Sequence, residues 1–229
     1  MRFKDVFSII GPAMIGPSSS HTAGAVRIGR VVRHILGEQP EHALVLFYGS
    51  FAETYRGHGT DLAIVGGLLD FDTDDARIPS SIRIAEQLGM TVEFRQGKGH
   101  YPHPNTAKVV ARAGSRVTAV VGSSIGGGNI EVHGVNDFDV KFTAMYPTLV
   151  IFHEDRPGMI ADVTRVLSRE GINIGHMSVD RKARSGEALT VIDVDGSLSE
   201  ETVREIAGLP TVREVRTVDL TDKRGGASP

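Results

Sequence analysis

Cysteine is missing altogether. Its absence excludes disulfides, thiol catalysis and any iron–sulfur cluster held by this chain's own thiolates. Histidine, aspartate and glutamate are left as possible metal ligands. No apolar run reaches the length that crosses a bilayer, and Met1-Arg2-Phe3-Lys4-Asp5 is followed by no signal-peptide core. The expected location is the cytoplasm, with no membrane partner. A strong charge of one sign is also lacking. The net charge is −3, so there is no global basic field and no expectation of nucleic acid. Arg27, Arg30 and Arg33 form a local stripe at helical spacing, which a solvated helix face explains. Internal repeats, low-complexity segments, a P-loop lysine motif and a dinucleotide fingerprint are all absent. With 40% hydrophobic and 23% charged residues in 229, the chain reads as a soluble globular protein of one large domain or two small ones.

What the chain does have is Gly16-Pro17-Ser18-Ser19-Ser20-His21-Thr22-Ala23-Gly24. Five consecutive side chains that can donate or accept hydrogen bonds run into a helical pattern at Ala23, Val26, Arg30 and Val31. Hydroxyls and free backbone N–H groups therefore converge at a helix N-terminus, which favours an anion. His21 adds a group that can titrate near neutral pH. A single serine would be an ordinary N-cap, but three serines, a histidine and a threonine exceed what capping needs.

Two domains are expected, at 1–145 and 148–220, with a short link around Tyr146-Pro147 and a flexible tail at 221–229. The periodicities of the second predict strands at 149–152, 172–179, 188–194 and 212–218. They also predict a helix opened by Pro157 and Gly158 and a second one capped by Ser199. The order βαββαβ is a ferredoxin-like layout. The first domain reads as α+β. Helices are predicted at 26–36, at 62–69 with a start at Thr60 or Asp61, and at 80–88. Strands are predicted at 43–48, 91–95, 107–111, 117–121, 129–132 and 138–142.

Four further motifs stand in the first domain. Gly57-His58-Gly59-Thr60-Asp61 sets a histidine between two glycines just before a helix start. Asp61 would orient His58 or cap that helix, capping being the simpler role. His100-Tyr101-Pro102-His103-Pro104-Asn105-Thr106 has two histidines three apart, but its prolines rule out the regular helix a metal pair would need. Asn105 and Thr106 read as polar contacts lining a cleft. Gly122-Ser123-Ser124-Ile125-Gly126 formally fits a nucleophile elbow. An elbow must lead into a helix, whereas Gly127, Gly128 and 129–132 lead into a strand, so a glycine-rich turn is the better reading. Asp70-Phe71-Asp72-Thr73-Asp74-Asp75 begins like a calcium loop but has Asp75 at position six and Ser81 at position twelve, and reads as a solvated acidic loop.

Taken in order, Gly16 to Gly24, Gly57 to Asp61, His103-Pro104-Asn105-Thr106 and Ser124-Ile125-Gly126-Gly127-Gly128 resemble the beta chain of iron–sulfur-dependent L-serine dehydratase. Asp155-Arg156-Pro157-Gly158 and Gly171-Ile172-Asn173-Ile174 resemble an ACT domain, a small amino-acid-sensing module. The resemblance implies conversion of L-serine to pyruvate and ammonia on a 4Fe-4S cluster. Since this chain has no cysteine, the cluster would sit on a cysteine-containing alpha subunit, and this chain would hold no metal. It further implies Ser18, Ser19, Ser20, His21 and Thr22 at the substrate's carboxylate end. His58 is implied as the base that removes the α-proton, with His21 the other candidate, and Asn105 and Thr106 as cleft contacts. An amino-acid effector is expected at His153, Asp155, Gly158 and Asn173, and the enzyme is expected to be an oligomer. Relatives that sense serine tend to carry His-x-Asn where this chain has His153-Glu154-Asp155. Two rivals stay open: a non-catalytic amino-acid-binding regulatory subunit, and a metal enzyme built on this chain's own histidines.

Overall fold

The computed structural model describes residues 13–99, 101, 103–184 and 186–221. His100 and the expected tail from 222 onward lie outside the described residues. The chain divides into two compact units between Thr143 and Ala144.

The first unit opens with one wide π-type turn, Ser19–Ala23, which runs without a break into helix α1, Gly24–Leu36. Ala25, Val26, Ile28, Val31, Val32, Ile35 and Leu36 are buried on one stripe of α1, and Gly37 ends it at φ 84°. Strand β1, His42–Tyr48, turns Ala43, Val45 and Phe47 inward. Helices α2 (Gly49–Thr54), α3 (Thr60–Leu68) and α4 (Ser81–Gln87) then carry the chain over to β2 (Thr91–Gln96). Strands β1 and β2 are parallel, and a parallel pair needs such a crossover. Strands β3 (Thr106–Ala113), β4 (Arg116–Gly126) and β5 (Asn129–Val135) add antiparallel ladders, for a sheet order β2-β1-β3-β4-β5.

Helices α1 and α3 touch backbone to backbone. A Cβ on Gly67 would stand 2.1 Å from Val26 O, and one on Gly29 would stand 2.3 Å from Ile64 O. Only glycine at both positions permits this approach. An aromatic group holds α2 down: Phe47 lies 6.0 Å from Phe51 and 4.9 Å from Tyr55, ring centre to ring centre.

Several expectations need correction. The stretch 138–142 is not a strand; it makes only single bridges, Val135 with Phe138 and Val132 with Phe142. Asn136 and Asp137, both at positive φ, turn the chain there. Ser123 and Ser124 are buried inside β4, and the glycine turn begins only at Gly126. The arginine stripe is no solvated face. Arg27 Nη1 donates to Gly128 O at 3.3 Å, and Arg30 bonds Asp70 and Asp72 at 3.2 Å each. These bonds also tie down the acidic loop. Bonding by His34, the largest cause, and by Arg30 holds the Asp70 carboxyl down to about 2.

The second unit follows its predicted order closely. Strands β6 (Thr148–Glu154), β7 (Ile174–Arg181), β8 (Glu187–Val194) and β9 (Val212–Val218) pair antiparallel in the order β7-β8-β6-β9. Helices α5 (Met159–Arg169) and α6 (Glu200–Ala207) supply Met159, Val163, Val166, Leu167 and Ile206 to a core shared with Leu149, Ile151, Ile192 and Val194. Ser199 caps α6 by accepting from Thr202 N–H at 3.0 Å.

Candidate active site

The π-type turn sets the geometry of the serine-rich segment. Ser18 is its N-cap, in extended backbone, and its Oγ accepts from His21 N–H at 3.2 Å. The same oxygen lies 3.5 Å from His21 Nδ1. On the other side of the ring, Nε2 lies 3.4 Å from Ser50 Oγ, at the start of α2. Phe51 presents an edge-on contact to the ring at 5.2 Å. His21 is thus held by three neighbours and is half-buried. Burial pushes its pKa down, and the adjacent His58 adds to the effect.

His58 arrives by the α3 route. Its N–H donates to Thr54 O at 3.1 Å, and Gly59, at φ 67°, turns the chain into α3 without a side-chain cap. The imidazole is exposed and stands 4.9 Å from the His21 ring. The Gly29–Gly67 crossing and this ring contact bring the starts of α1 and α3 to one place. Asp61 sits in the first turn of α3, where its Oδ1 accepts from Leu62 N–H at 2.9 Å. Burial raises its pKa. Asp61 thus lies inside the helix and is not its N-cap, which is Gly59.

The other motifs close on the same region. Pro104 O accepts from Phe51 N–H at 3.4 Å, and a Cβ on Gly49 would stand 2.5 Å from that oxygen. Asn105 O accepts from Ser124 N–H at 2.9 Å, and Ser124 Oγ abuts Gly24, where a Cβ would stand 2.1 Å away. His103 Nδ1 accepts from Asn105 N–H at 3.1 Å. Thr106 is fully buried: its hydroxyl donates to His103 O at 2.7 Å and meets Ser123 Oγ at 2.6 Å. Three buried hydroxyls in the converging segments, those of Thr22, Thr60 and Ser124, have no hydrogen-bond partner among the described residues. Buried polar groups are nearly always paired, so such a cluster has capacity left for water or ligand.

Sequence reasoning missed Ser50 and His133. Helix α2 is only six residues long and carries no apolar period, so Ser50 had no frame. The one available signal was the break after β1 at Gly49, which takes φ 52°. His133 sits in a strand with nothing in its local pattern to mark it.

The expected effector residues do not meet within one chain. His153 is buried, with Nδ1 2.9 Å from Glu154 O and Nε2 2.8 Å from Thr190 Oγ1. Asp155 pairs with Arg181 at 3.2 Å, and Gly158, at φ 91°, starts α5. Asn173 donates to Asp195 at 2.8 Å. Asp155 follows the Glu154–Glu187 end of the sheet, whereas Asn173 precedes the Ile174–Val194 end. A seven-residue strand separates them, about 20 Å at ~3.3 Å per residue. A shallow groove of about 420 Å³ lies at the Asn173 end, lined by Thr164, Ser168, Gly171, Ile172, Asn173 and Ile174.

Comparison with known proteins places both parts of the chain in known families. Residues 3–90 match the family described as serine dehydratase beta chain, and residues 147–211 match the ACT domain. A probable L-serine dehydratase beta chain of Bacillus subtilis is 49% identical over 218 residues, covering 95% of this chain and 99% of that one. The L-serine dehydratase beta chain of Peptoniphilus asaccharolyticus is 33% identical, covering 96% of this chain and 100% of that one. L-serine dehydratase TdcG of Escherichia coli is 32% identical over 62% of this chain, which corresponds to only 36% of that protein. With near-complete coverage of two beta chains, this protein belongs to the L-serine dehydratase beta-chain family and carries an ACT domain at residues 147–211.

Proposed function

We propose that this chain forms the substrate-holding and proton-removing side of an L-serine dehydratase, which converts L-serine to pyruvate and ammonia. The observation that carries the reading is the meeting of His21 and His58 at 4.9 Å, where two helices begin. The unpartnered hydroxyls of Thr22, Thr60 and Ser124 stand in the segments that meet there.

The 4Fe-4S cluster that the family resemblance implies does not fit this chain as a ligand set, because the chain has no cysteine. It belongs on a cysteine-containing alpha subunit, where it would supply a Lewis-acidic iron. The match to about a third of a longer L-serine dehydratase supports a division of the enzyme into two parts.

This chain's residues then have separate roles. Ser18 is occupied in holding His21, so Ser19, Ser20 and the first-turn amides are the groups available to the substrate carboxylate. Thr22 adds a free hydroxyl. His58 takes the α-proton from the exposed side of the pair. His21, kept neutral by burial, adds no second positive charge beside the imidazolium that forms. Loss of water leaves an enamine, which tautomerises and is hydrolysed to pyruvate and ammonia. The α-proton is weakly acidic, so the base must be tightly placed, and Ser50, Phe51 and Ser18 fix the ring against which His58 stands.

The test is reconstitution. The purified chain alone should be colourless and leave serine unconsumed. Anaerobic mixing with its alpha chain and iron should give a brown complex that releases pyruvate. Turnover by this chain alone, or iron bound to it in stoichiometric amount, would sink the two-part reading.

A further inference from the structure

Behind the Pro104–Asn105 corner runs a line of side chains, beginning at the motif residue Thr106, to which the proposed chemistry gives no role. Thr106 Oγ1 lies 2.7 Å from His103 O and 2.6 Å from Ser123 Oγ. Ser123 Oγ lies 2.8 Å from His133 Nε2. On the far side of that ring, Nδ1 stands 3.5 Å from Glu131 Oε1, and Glu131 Oε2 pairs with Lys141 at 3.0 Å. Thr106 and Ser123 are fully buried, and the His133 side chain is 22% exposed.

The line has only one consistent direction. A carbonyl oxygen can only accept, so Thr106 donates to His103 O. A hydroxyl has one proton, so Thr106 must accept from Ser123. Ser123 has then used its own proton, and the remaining contact must be donated by His133 through Nε2–H. We propose that His133, fixed as an Nε2–H donor, is a positioning residue that holds the His103–Asn105 corner of the cleft through Ser123 and Thr106. The corner matters because Asn105 O receives Ser124 N–H and Pro104 O receives Phe51 N–H, the latter beside His21.

The groups around the ring agree with a neutral donor. Burial pushes the His133 pKa down, and Lys141 and His103 push the same way, while Glu131 opposes them. A neutral ring has one N–H, and the buried hydroxyl line claims it for Nε2. Gaining a second proton at Nδ1 would add a bond to Glu131 without disturbing the line, so the line survives either charge state. The tautomer with its only proton on Nδ1 is the one that breaks it.

This inference rests on the serine dehydratase reading for its effect on turnover, but not for the tautomer. Long-range proton–nitrogen NMR on the nitrogen-15-labelled full chain at pH 8 reads which nitrogen of His133 carries the proton. A protonated Nε2 supports the proposal, and a proton on Nδ1 overturns it. In the complex with the alpha chain, His133→Gln places an amide donor near the Nε2 position, whereas His133→Asn places one near Nδ1. The Gln variant should keep kcat/KM within about threefold, and the Asn variant should lose about 10–100-fold, as misplaced cleft groups do. Equal losses in the two variants would overturn the positioning role. Should no complex consume serine at all, the proposed function fails while the NMR result still decides the hydrogen-bond line.

Discussion

In the converging segments of the first unit, the hydroxyls of Thr22, Thr60 and Ser124 are buried with no partner among the described residues, whereas at the expected effector residues of the second the polar side chains are engaged. His153 faces Thr190, Asp155 faces Arg181, and Asn173 faces Asp195. Two buried atoms of the second unit, Ser178 Oγ and Arg216 Nε, also lack partners, but neither belongs to an expected effector residue. Leaving a buried polar group unpaired costs about 1–3 kcal/mol. Several such groups in the segments that meet at the His21–His58 contact leave hydrogen-bonding capacity unused. Internally paired groups point to structure. The same residue type thus carries opposite meanings in the two units: His21 and His58 meet ring to ring where two helices begin, and His153 closes a strand pair.

The largest expected effect breaks this comparison at its strongest point. His58→Ala in the reconstituted enzyme should lower kcat by about 10²–10⁴-fold, the usual contribution of a positioned base. His153→Ala should leave kcat near its starting value and cost about 1–3 kcal/mol of stability, because it orphans Thr190. Thermal melts and turnover on both variants check the pair. If the two histidines exchange behaviours, the assignment of site and scaffold is reversed.

Next in size is the helix crossing. Gly67→Ala would put a methyl 2.1 Å from Val26 O and 2.8 Å from Arg30 N, where backbone on both sides cannot yield cheaply. A loss of about 1–3 kcal/mol is expected, as for overpacked cores. The starts of α1 and α3 should also separate, so kcat/KM should fall in the folded fraction. A variant that melts early yet works normally when folded would show that the crossing does not place the histidines.

A smaller effect concerns protons. His21 is held below its ordinary value of 6.5, first by burial and then by His58. The unfolded chain therefore takes up this proton more readily than the folded one. The stability that comes from keeping His21 neutral is complete above pH 6.5 and is lost as pH falls below it toward the folded value. In His58→Gln, NMR titration should show His21 moving up but remaining below its ordinary value, since burial is the larger cause. A return to the ordinary value would make charge, and not burial, the dominant cause.

How much was legible in the sequence differs between the units for a physical reason. In the second, the elements carried local marks, with Gly171 after a helix end, Ser199 before a helix start and both helices packing one face on a single core. In the first, Ala63, Ile64, Val65, Gly66, Gly67 and Leu68 make α3 apolar on all sides, so its place came from its ends and not its period. Helix α2 left no pattern, and 138–142 imitated a strand because its alternate residues are buried without a ladder. The cleft's segments were visible as motifs. Their meeting was not, since it depends on a glycine crossing and a π-type turn that local sequence does not announce. The line from His133 to His103 was invisible for the same reason, being made across strands.

The smallest expected effect sharpens the comparison on the effector side. Asp155 and Asn173 lie at opposite ends of one sheet and bond different partners, Arg181 and Asp195. Each pair is exposed, so Asp155→Ala and Asn173→Ala should each cost no more than about 0.2–1 kcal/mol. With no shared partner, the two changes should add to within about 0.3–0.5 kcal/mol in the double variant. Denaturant melts of the full chain measure this sum directly. The melts should then be repeated with serine at increasing concentration, since a ligand that binds the folded form raises its stability by mass action. A ligand gripped by both residues of one chain would make their effects strongly non-additive in its presence. Additivity in both conditions means that this ACT domain holds no serine between those two residues, within one chain or across two. Coupling that appears only with serine would mean that Asp155 and Asn173 share a ligand after all, which would require the Asn173 of one chain to meet the Asp155 of another.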